Sequence, residues 1–400
     1  MKVPRRSSSH RSIVIALGAM LLVAVAVVIA LRVLRPAPSS PEAPVTSAPP
    51  TSQPTPAPAR RLTFSAAGDF LAHDSVVQQA KTADGYDFSP YFSSVRPLYD
   101  KSDVFFCNVE TPTAGPRYGI SGYPAFNAPT EFARDMQKTG CNMINLANNH
   151  MADKGQGAIN ATLDTWAKLP TLAVAGANRS AEEQSKVAYF EKNGLKVAFV
   201  AFADFSNVAP PAPYSINLYR DEALVRRLLT EARQRADAVI VSAHWGTEDA
   251  HEVNANQRSF AQLCAQLGVD VIIGTGPHVI QEVDMLKRPD GGQLLVWYSL
   301  GNFLSSQLQP DQLTGGVAQF RLSKEQDKLT ISDIAFRPTF MSYEWSAADR
   351  QAQRLLARRN LTLQPLKDAA RGTSLHGVSV DERMNKVRQW LGAKVPVTIE

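Results

Sequence analysis

The alternation of short apolar runs with amphipathic stretches constrains the fold of this chain most. The apolar runs are LTFSAAG, DVFFCN, CNMINLA, KVAFVAFA, ADAVIVSA and VDVIIGTG. Between them, stretches such as EALVRRLLTEARQRA repeat apolar residues with the period of a helix. This alternation predicts an α/β fold with largely parallel central strands. After residue 301, VAQFRLS and LTISDIAF alternate apolar and polar residues, which predicts an antiparallel pair with one solvated face.

An uncharged apolar run from residue 13 to residue 31 precedes these strands. Its length is close to the ~20 residues that a helix needs to cross a bilayer. Arginines at positions 5, 6 and 11 precede the run, which predicts that its N-terminal side stays in the cytoplasm. We therefore expect a basic cytoplasmic tail over residues 1–12 and a single-pass cell-membrane anchor over 13–34, with the rest of the chain extracytoplasmic. The alternative is a signal peptide cleaved near Ala37 or Ala43.

Composition divides the remainder of the chain. Residues 35–60 are dominated by Pro, Ala, Ser and Thr, a composition that predicts an extended linker without a core. We expect one large domain over 61–345, followed by a charged helical extension over 346–400. The net charge of +5 belongs to the anchor region, because residues 1–35 hold six basic residues and no acidic one. The other 36 Lys and Arg nearly balance the 37 Asp and Glu, so we expect no nucleic-acid partner.

The three cysteines, Cys107, Cys141 and Cys264, are far apart in the sequence. Their spacing matches neither a CxxC motif nor a zinc site. Each lies at or within an apolar pattern, which favours buried free thiols over a disulfide or a catalytic role.

Polar residues collect where the apolar runs end, which is the edge where α/β sheets bind ligands. In chain order these residues are Asp69, His73, Asn108, Glu110, Asn148, Asn149, His150, Asp153, His244, Glu248, His278 and Asn302. Any one of them could be an ordinary cap, turn or hydrogen-bonding residue. However, four of the seven histidines belong to this set. Mixed oxygen and imidazole donors suit Mn, Fe or Zn rather than a thiolate site, and a metal pair of this kind supports phosphoryl transfer.

The segments GDFLAHD, NVETP, NLANNHMADKG, AHWGTE, GPHVIQ and YSLGNF, in this order, resemble the CapA-type capsule and poly-gamma-glutamate biosynthesis family. That family is part of the calcineurin-like metallophosphoesterase superfamily. The resemblance runs from about Leu62 to Ser306. It implies a four-layer α-β-β-α sandwich of metallophosphoesterase type, with one or two divalent metal ions bound where the strands end.

The resemblance also implies roles for individual residues. The implied metal ligands are Asp69, His73, Glu110, Asn149, His244 and His278. His150 resembles the catalytic histidine of the superfamily, and Asp153 is a second catalytic residue on this interpretation. Gly276 departs from the pattern, because the family usually has a histidine there. The second metal position therefore lacks an imidazole, and His251 or Glu248 are the residues that could replace it.

Two functions follow as expectations. The first is a membrane-anchored, metal-dependent phosphoesterase of capsule or poly-gamma-glutamate production, which acts outside the cell membrane beside other synthesis and export proteins. The alternative is a non-catalytic assembly factor that binds the anionic polymer during export. A cell-wall-binding module is disfavoured, because it would not require histidines at four strand ends.

Overall fold

Two β-sheets form the frame of the protein in a computed structural model, which describes residues 60–369 and 377–400. The described strands are β1 (Arg60–Phe70), β2 (Val104–Val109), β3 (Met143–Asn145), β4 (Ala173–Ala175), β5 (Ala188–Lys192), β6 (Leu195–Ala203), β7 (Ala238–His244), β8 (Val271–Thr275), β9 (Val283–Lys287), β10 (Gln293–Trp297), β11 (Asn302–Leu304), β12 (Thr314–Glu325), β13 (Lys328–Glu344), β14 (Arg359–Pro365) and β15 (Thr398–Ile399). The described helices are α1 (Asp74–Gln79), α2 (Ser89–Phe92), α3 (Thr130–Thr139), α4 (Gly155–Ala167), α5 (Ala181–Gln184), α6 (Glu222–Arg235), α7 (Ala255–Gln266), α8 (Ala347–Gln351) and α9 (Val380–Leu391). The α/β class is confirmed.

The larger sheet has nine strands in the order β14-β13-β12-β1-β2-β3-β4, with β11 beside β1 and β15 beside β13. The smaller sheet has six, in the order β5-β6-β7-β8-β10-β9. Strands β1 to β4 are parallel, as are β6, β7, β8 and β10. Strands β12 and β13 form the predicted antiparallel pair. The parallel centres therefore direct their carboxyl ends to one edge of each sheet.

The smaller sheet is apolar on both faces, and the two faces contact different partners. In β6, Val197, Phe199 and Ala201 belong to a core shared with the larger sheet. The alternate residues Val200 and Phe202 pack with α6 and α7 in a second core. Successive side chains of a strand point to opposite faces, so this alternation places helices on the outer face of the sheet and the larger sheet against its inner face.

The helices that cover the smaller sheet are delimited by local signals. Asn254 caps α7 by accepting a hydrogen bond from the amide of Gln257, and the Gln257 side chain accepts from the Asn254 amide. This reciprocal capping satisfies amides that a helix leaves free at its first turn. The carboxylate of Asp221 caps α6 in the same position.

One cysteine prediction is wrong. Cys107 of β2 and Cys141, just before β3, form a disulfide. The two strands are neighbours in register, with Cys107 opposite Ile144, and this pairing brings together thiols that are 34 positions apart. Cys264 is a buried free thiol, as expected.

The C-terminal segment differs from the expected helical extension. It contains α8 and α9, but β14 pairs with β13 along an antiparallel register, and β15 pairs with β13 in parallel. Residues 361–365 alternate buried and partly buried side chains, with Leu361 and Leu363 buried, and this pattern suits a strand with one covered face. The segment therefore extends the larger sheet.

The chain divides into the units Met1–Ala57 and Pro58–Glu400, and every described residue belongs to the second. The predicted cytoplasmic tail and anchor, and the linker as far as residue 59, lie outside the described residues. Within residues 60–369 and 377–400, none of the helices has the length and apolarity needed to span a bilayer.

Candidate metal centre

Three buried side chains meet where strands of the two sheets end. Asp69 lies near the end of β1, Glu110 directly follows β2, and His278 follows β8. Their ligand atoms all lie within 4.8 Å of one another, and none of the three residues is more than 4% exposed. The sequence-based prediction placed these residues together, and the structure places them in one cluster.

The backbone around Asp69 depends on a close approach of two chain segments. Asp69 is in register with Asn302 of β11 and Asn108 of β2. A Cβ atom at Gly68 would lie 1.8 Å from the carbonyl oxygen of Gly301, so only glycine allows β1 to pass this segment. The Asp69 carboxylate is thereby fixed between two strands.

Hydrogen bonds orient the Asp69 carboxylate. Its Oδ1 accepts from Nδ2 of Asn108 at 2.7 Å, and its Oδ2 accepts from the backbone amide of Gly276 at 3.3 Å. Nδ1 of His278 lies 3.1 Å from the same Oδ2 and 3.1 Å from Oδ1 of Asn302. His278 holds this position with φ of 61°, a region that non-glycine residues seldom adopt.

The carboxylate of Glu110 provides the strongest test of whether the cluster fits a cation. Both of its oxygens are buried, and neither has a hydrogen-bond partner in the described residues. Oε1 lies 3.6 Å from Nε2 of His244 and 3.7 Å from Nε2 of His278. Buried carboxylates normally have donors or coordinate metals. The donor set of two carboxylates and imidazoles therefore fits a divalent transition metal.

A second pair of donors lies next to Glu110. Nε2 of His244, at the end of β7, is 2.9 Å from Oδ1 of Asn149. The other ring nitrogen of His244 is 3.3 Å from Asn108 and 3.1 Å from the Thr275 hydroxyl. The pair could supply one nitrogen and one oxygen ligand to a cation shared with Glu110.

Burial and charge set the protonation of this cluster. Burial opposes ionisation of Asp69, but the hydrogen bond and charge of His278 together hold the pKa of Asp69 below its usual value. Burial and the charge of Asp69 raise the pKa of Glu110 well above its usual value. Burial acts to lower the pKa of His278, but the charges of Glu110 and Asp69 raise it to about 10. Burial lowers the pKa of His244 to about 3. The charges of the cluster are therefore strongly interdependent.

The two residues predicted to be catalytic form a dyad beside the cluster. Nδ1 of His150 lies 2.8 Å from Oδ2 of Asp153, and the same oxygen accepts the backbone amide of Phe126 at 2.8 Å. Nε2 of His150 is 3.4 Å from the side-chain nitrogen of Asn207. The ring also packs edge-on against Phe126, 4.6 Å between centroids. A histidine oriented by a carboxylate suits proton transfer.

His73 does not belong to the metal-ligand cluster found among the described residues. Its Nδ1 accepts the backbone amide of Ser306 at 3.3 Å, and its ring packs against Phe126. Burial lowers its pKa to about 3, and the charges of His278, Arg358 and His150 act in the same direction. These contacts place His73 beside the cluster, next to the dyad.

Neither suggested substitute for the missing imidazole takes its place. His251 directs Nδ1 to the carbonyl of Ile280 at 2.7 Å and Nε2 to the carboxylate of Asp311 at 3.2 Å. Glu248 is exposed, and it acts on Glu110 and His278 only through its charge. At the cluster the backbone amide of Gly276 contacts Asp69 instead.

Sequence reasoning gave no role to two supporting residues. Asn145 of β3 donates to Oδ1 of Asn108 at 2.7 Å, and this bond fixes the amide that in turn donates to Asp69. Asn207 lies in the loop after β6 and contacts His150. Asn145 was detectable in principle, because a buried amide within the apolar run CNMINLA needs a polar partner. The sequence around Asn207 gives no such signal.

Fold and site together define an α/β protein with a buried carboxylate–imidazole cluster at the strand ends of two facing sheets. The model of the family "Bacterial capsule synthesis protein PGA_cap" matches residues 63–307. The chain belongs to this family, as its motifs predicted.

Two relatives are similar over much of their length. The PGA biosynthesis protein CapA of Bacillus subtilis (strain 168) is 28% identical over 270 residues, which cover 66% of this chain and 68% of the relative. The capsule biosynthesis protein CapA of Bacillus anthracis is 28% identical over 257 residues, 62% of this chain and 60% of the relative. Each relative thus also has residues outside the shared region.

Solved structures give more distant likenesses. A phosphatase of Mycoplasma pneumoniae is 12% identical with a TM-score of 0.43, and the match covers 70% of this chain and 94% of that one. The calcineurin-like phosphoesterase YfkN from Bacillus subtilis is 15% identical with a TM-score of 0.42, over 70% of this chain and 91% of that one.

Proposed function

We propose that this protein is a metal-dependent phosphoesterase of capsule or poly-gamma-glutamate production. The observation that carries the proposal is the Glu110 carboxylate, which is buried beside Asp69 and His278 and has no hydrogen-bond partner for either oxygen in the described residues. Family membership supports the role in capsule synthesis, and the similarity to a relative named for PGA biosynthesis supports that polymer.

Each group has a role in such a reaction. A divalent ion at the cluster would supply Lewis-acid polarisation of a phosphoester. Asp69 and Glu110 of the larger sheet and His278 of the smaller sheet would hold it. Asn149 and His244 would complete its coordination or bind a second ion. His150, with Nδ1 held by Asp153, delivers a proton to the leaving oxygen. The proposal includes the assignment of the fold to the four-layer sandwich of metallophosphoesterase type.

The domain is proposed to act outside the cytoplasm, tethered to the cell membrane by residues 13–34. The disulfide between Cys107 and Cys141 supports this location, because disulfides persist in oxidising compartments. Proteins of polymer synthesis and export are the proposed neighbours, and the substrate is an anionic polymer or another phosphoester.

The test uses full-length protein supplied with Mn, Fe or Zn. We expect bound metal by elemental analysis, and metal-dependent hydrolysis of bis(p-nitrophenyl) phosphate. Glu110→Gln should lose both, with activity reduced at least about a hundredfold. The matched control is Asp135→Asn, which alters a buried carboxylate that pairs with Arg134 away from the cluster. Wild-type protein that takes up no metal would refute the proposal.

Gly276 favours a second candidate, an assembly factor that binds anionic polymer without hydrolysis. Its φ of 106°, and the position of a Cβ atom 2.9 Å from the Trp245 carbonyl oxygen, leave no place for an imidazole. The ligand set is then smaller than in the family pattern. Polymer production in cells that carry His150→Ala distinguishes the two candidates. Unchanged production supports the assembly factor, whereas loss of production supports the phosphoesterase.

A further inference from the structure

A cavity of about 630 Å³ opens beside His73 and has no role in the chemistry described above. His73 is one of the residues that line it. The ring of His73 is 5.3 Å from that of Phe126, which in turn packs against His150. One aromatic ring therefore separates a lining residue of the cavity from the histidine proposed to deliver the proton.

Apolar side chains line the cavity where it faces solvent, beside the polar side chains of Asp74, Gln353 and Arg354. Five large apolar side chains are exposed in the described residues, and three of them line this cavity. They are Tyr123, Leu355 and Leu356, with exposures of 74%, 44% and 55%. Apolar side chains that gather around a concavity are typical of a ligand site, whereas single scattered ones are not.

The wall of the cavity contains a buried cation. Arg358 is only 8% exposed, and its guanidinium donates to the carbonyls of Ser306 and Leu355 and to the hydroxyl of Ser75. It also lies over the ring of Tyr343, 5.2 Å from the centroid. Among the described residues these partners are neutral, and no carboxylate pairs with it. A buried charge without a counter-ion favours an anion nearby.

We propose that this cavity binds the apolar chain of an amphipathic phosphoester, with Arg358 close to the anionic group and the chain leaving past Tyr123, Leu355 and Leu356. The inference rests on the proposed phosphoesterase function, because it assigns the part of the substrate that does not react. The leucines and Arg358 lie beyond the family match at residues 63–307. The C-terminal segment of this chain thus contributes one part of the cavity lining, and residues 73–75 and Tyr123 contribute the other.

Binding of octyl phosphate and ethyl phosphate tests the inference directly. Full-length protein in phosphatidylcholine nanodiscs is titrated calorimetrically, and empty nanodiscs serve as the blank. Each buried methylene contributes about fourfold in affinity, so we expect octyl phosphate to bind at least about a hundredfold more tightly than ethyl phosphate. The double variant Leu355→Ser, Leu356→Ser should reduce this ratio to about ten or less. Leu263→Ser, which changes a partly buried leucine of α7, should leave it unchanged.

Equal affinity of wild-type protein for the two phosphates, or an unchanged ratio in the double variant, overturns the inference. If the double variant fails to fold, Tyr123→Ser replaces it, because this side chain is mostly exposed and a several-fold loss of the preference is still expected. Hydrolysis of bis(p-nitrophenyl) phosphate is measured in parallel. If the protein prefers octyl phosphate but does not hydrolyse the diester, the phosphoesterase function is refuted and the cavity proposal stands. If it hydrolyses the diester but shows no preference, the cavity proposal is refuted and the phosphoesterase function stands.

Discussion

Removal of the disulfide between Cys107 and Cys141 should destabilise the domain. The size of the effect depends on the number of residues between the two cysteines. The two residues are 34 positions apart. In the chain-entropy model, a loop of this length restricts the unfolded state by about 4 kcal/mol at 25 °C. The double variant Cys107→Ala, Cys141→Ala should therefore unfold with a free energy about 4 kcal/mol lower than that of the wild type.

The assay is guanidinium chloride denaturation of residues 58–400, followed by circular dichroism. Cys264→Ala is the control, because this buried thiol forms no disulfide, and its replacement removes only a small buried group. Thiol titration of the denatured wild type should find one free thiol without reductant and three with it. Three thiols without reductant, or a double variant within about 1 kcal/mol of the wild type, would refute the reasoning.

Three further predictions concern the cluster and the dyad. Glu110→Met removes two buried oxygens that have no hydrogen-bond partner in the described residues. In the presence of chelator it should raise the free energy of unfolding by about 1–3 kcal/mol, and it should abolish stabilisation by added metal; a less stable variant would contradict this. His150→Ala should lower kcat about 10²–10⁴-fold at unchanged metal content, and Asp153→Asn should give a smaller loss in the same direction; a loss of metal would instead make His150 a ligand. Gly276→Ala should cost at least about 1 kcal/mol in thermal unfolding, because its φ is 106° and its Cβ would meet backbone; an unchanged midpoint would argue against that geometry.

The sequence predicted the strands and the site residues for the same physical reason. A run such as ADAVIVSA must be buried on both faces, and the residue that follows it, His244, must lie at the carboxyl edge of a parallel sheet. Asp69, Glu110 and His278 follow this rule in three other strands, and they meet within 4.8 Å. It could therefore be predicted, without knowledge of the strand order, that these residues lie at the carboxyl edge of a parallel sheet.

Strand pairing was beyond the sequence, and the errors follow from that. The thiols of Cys107 and Cys141 meet because β2 and β3 are adjacent in a particular register, which no spacing rule encodes. The strand β14 was missed because its short alternation, with Leu361 and Leu363 inward, lies within a charged region and depends on β13 as a partner. Local pattern specifies a strand, whereas its neighbours are specified only by the assembled sheet.

The structure gives a physical reason for the glycine at position 276, where the family pattern has a histidine. In the sequence it is only an absent imidazole. In the fold its amide is 3.3 Å from Oδ2 of Asp69, and its left-handed φ turns the chain so that His278 reaches the same oxygen. A histidine at this position would have to displace the backbone of Trp245. The loop is therefore adapted to glycine, and the smaller ligand set is part of the structure of this site rather than a loss that a neighbouring side chain repairs.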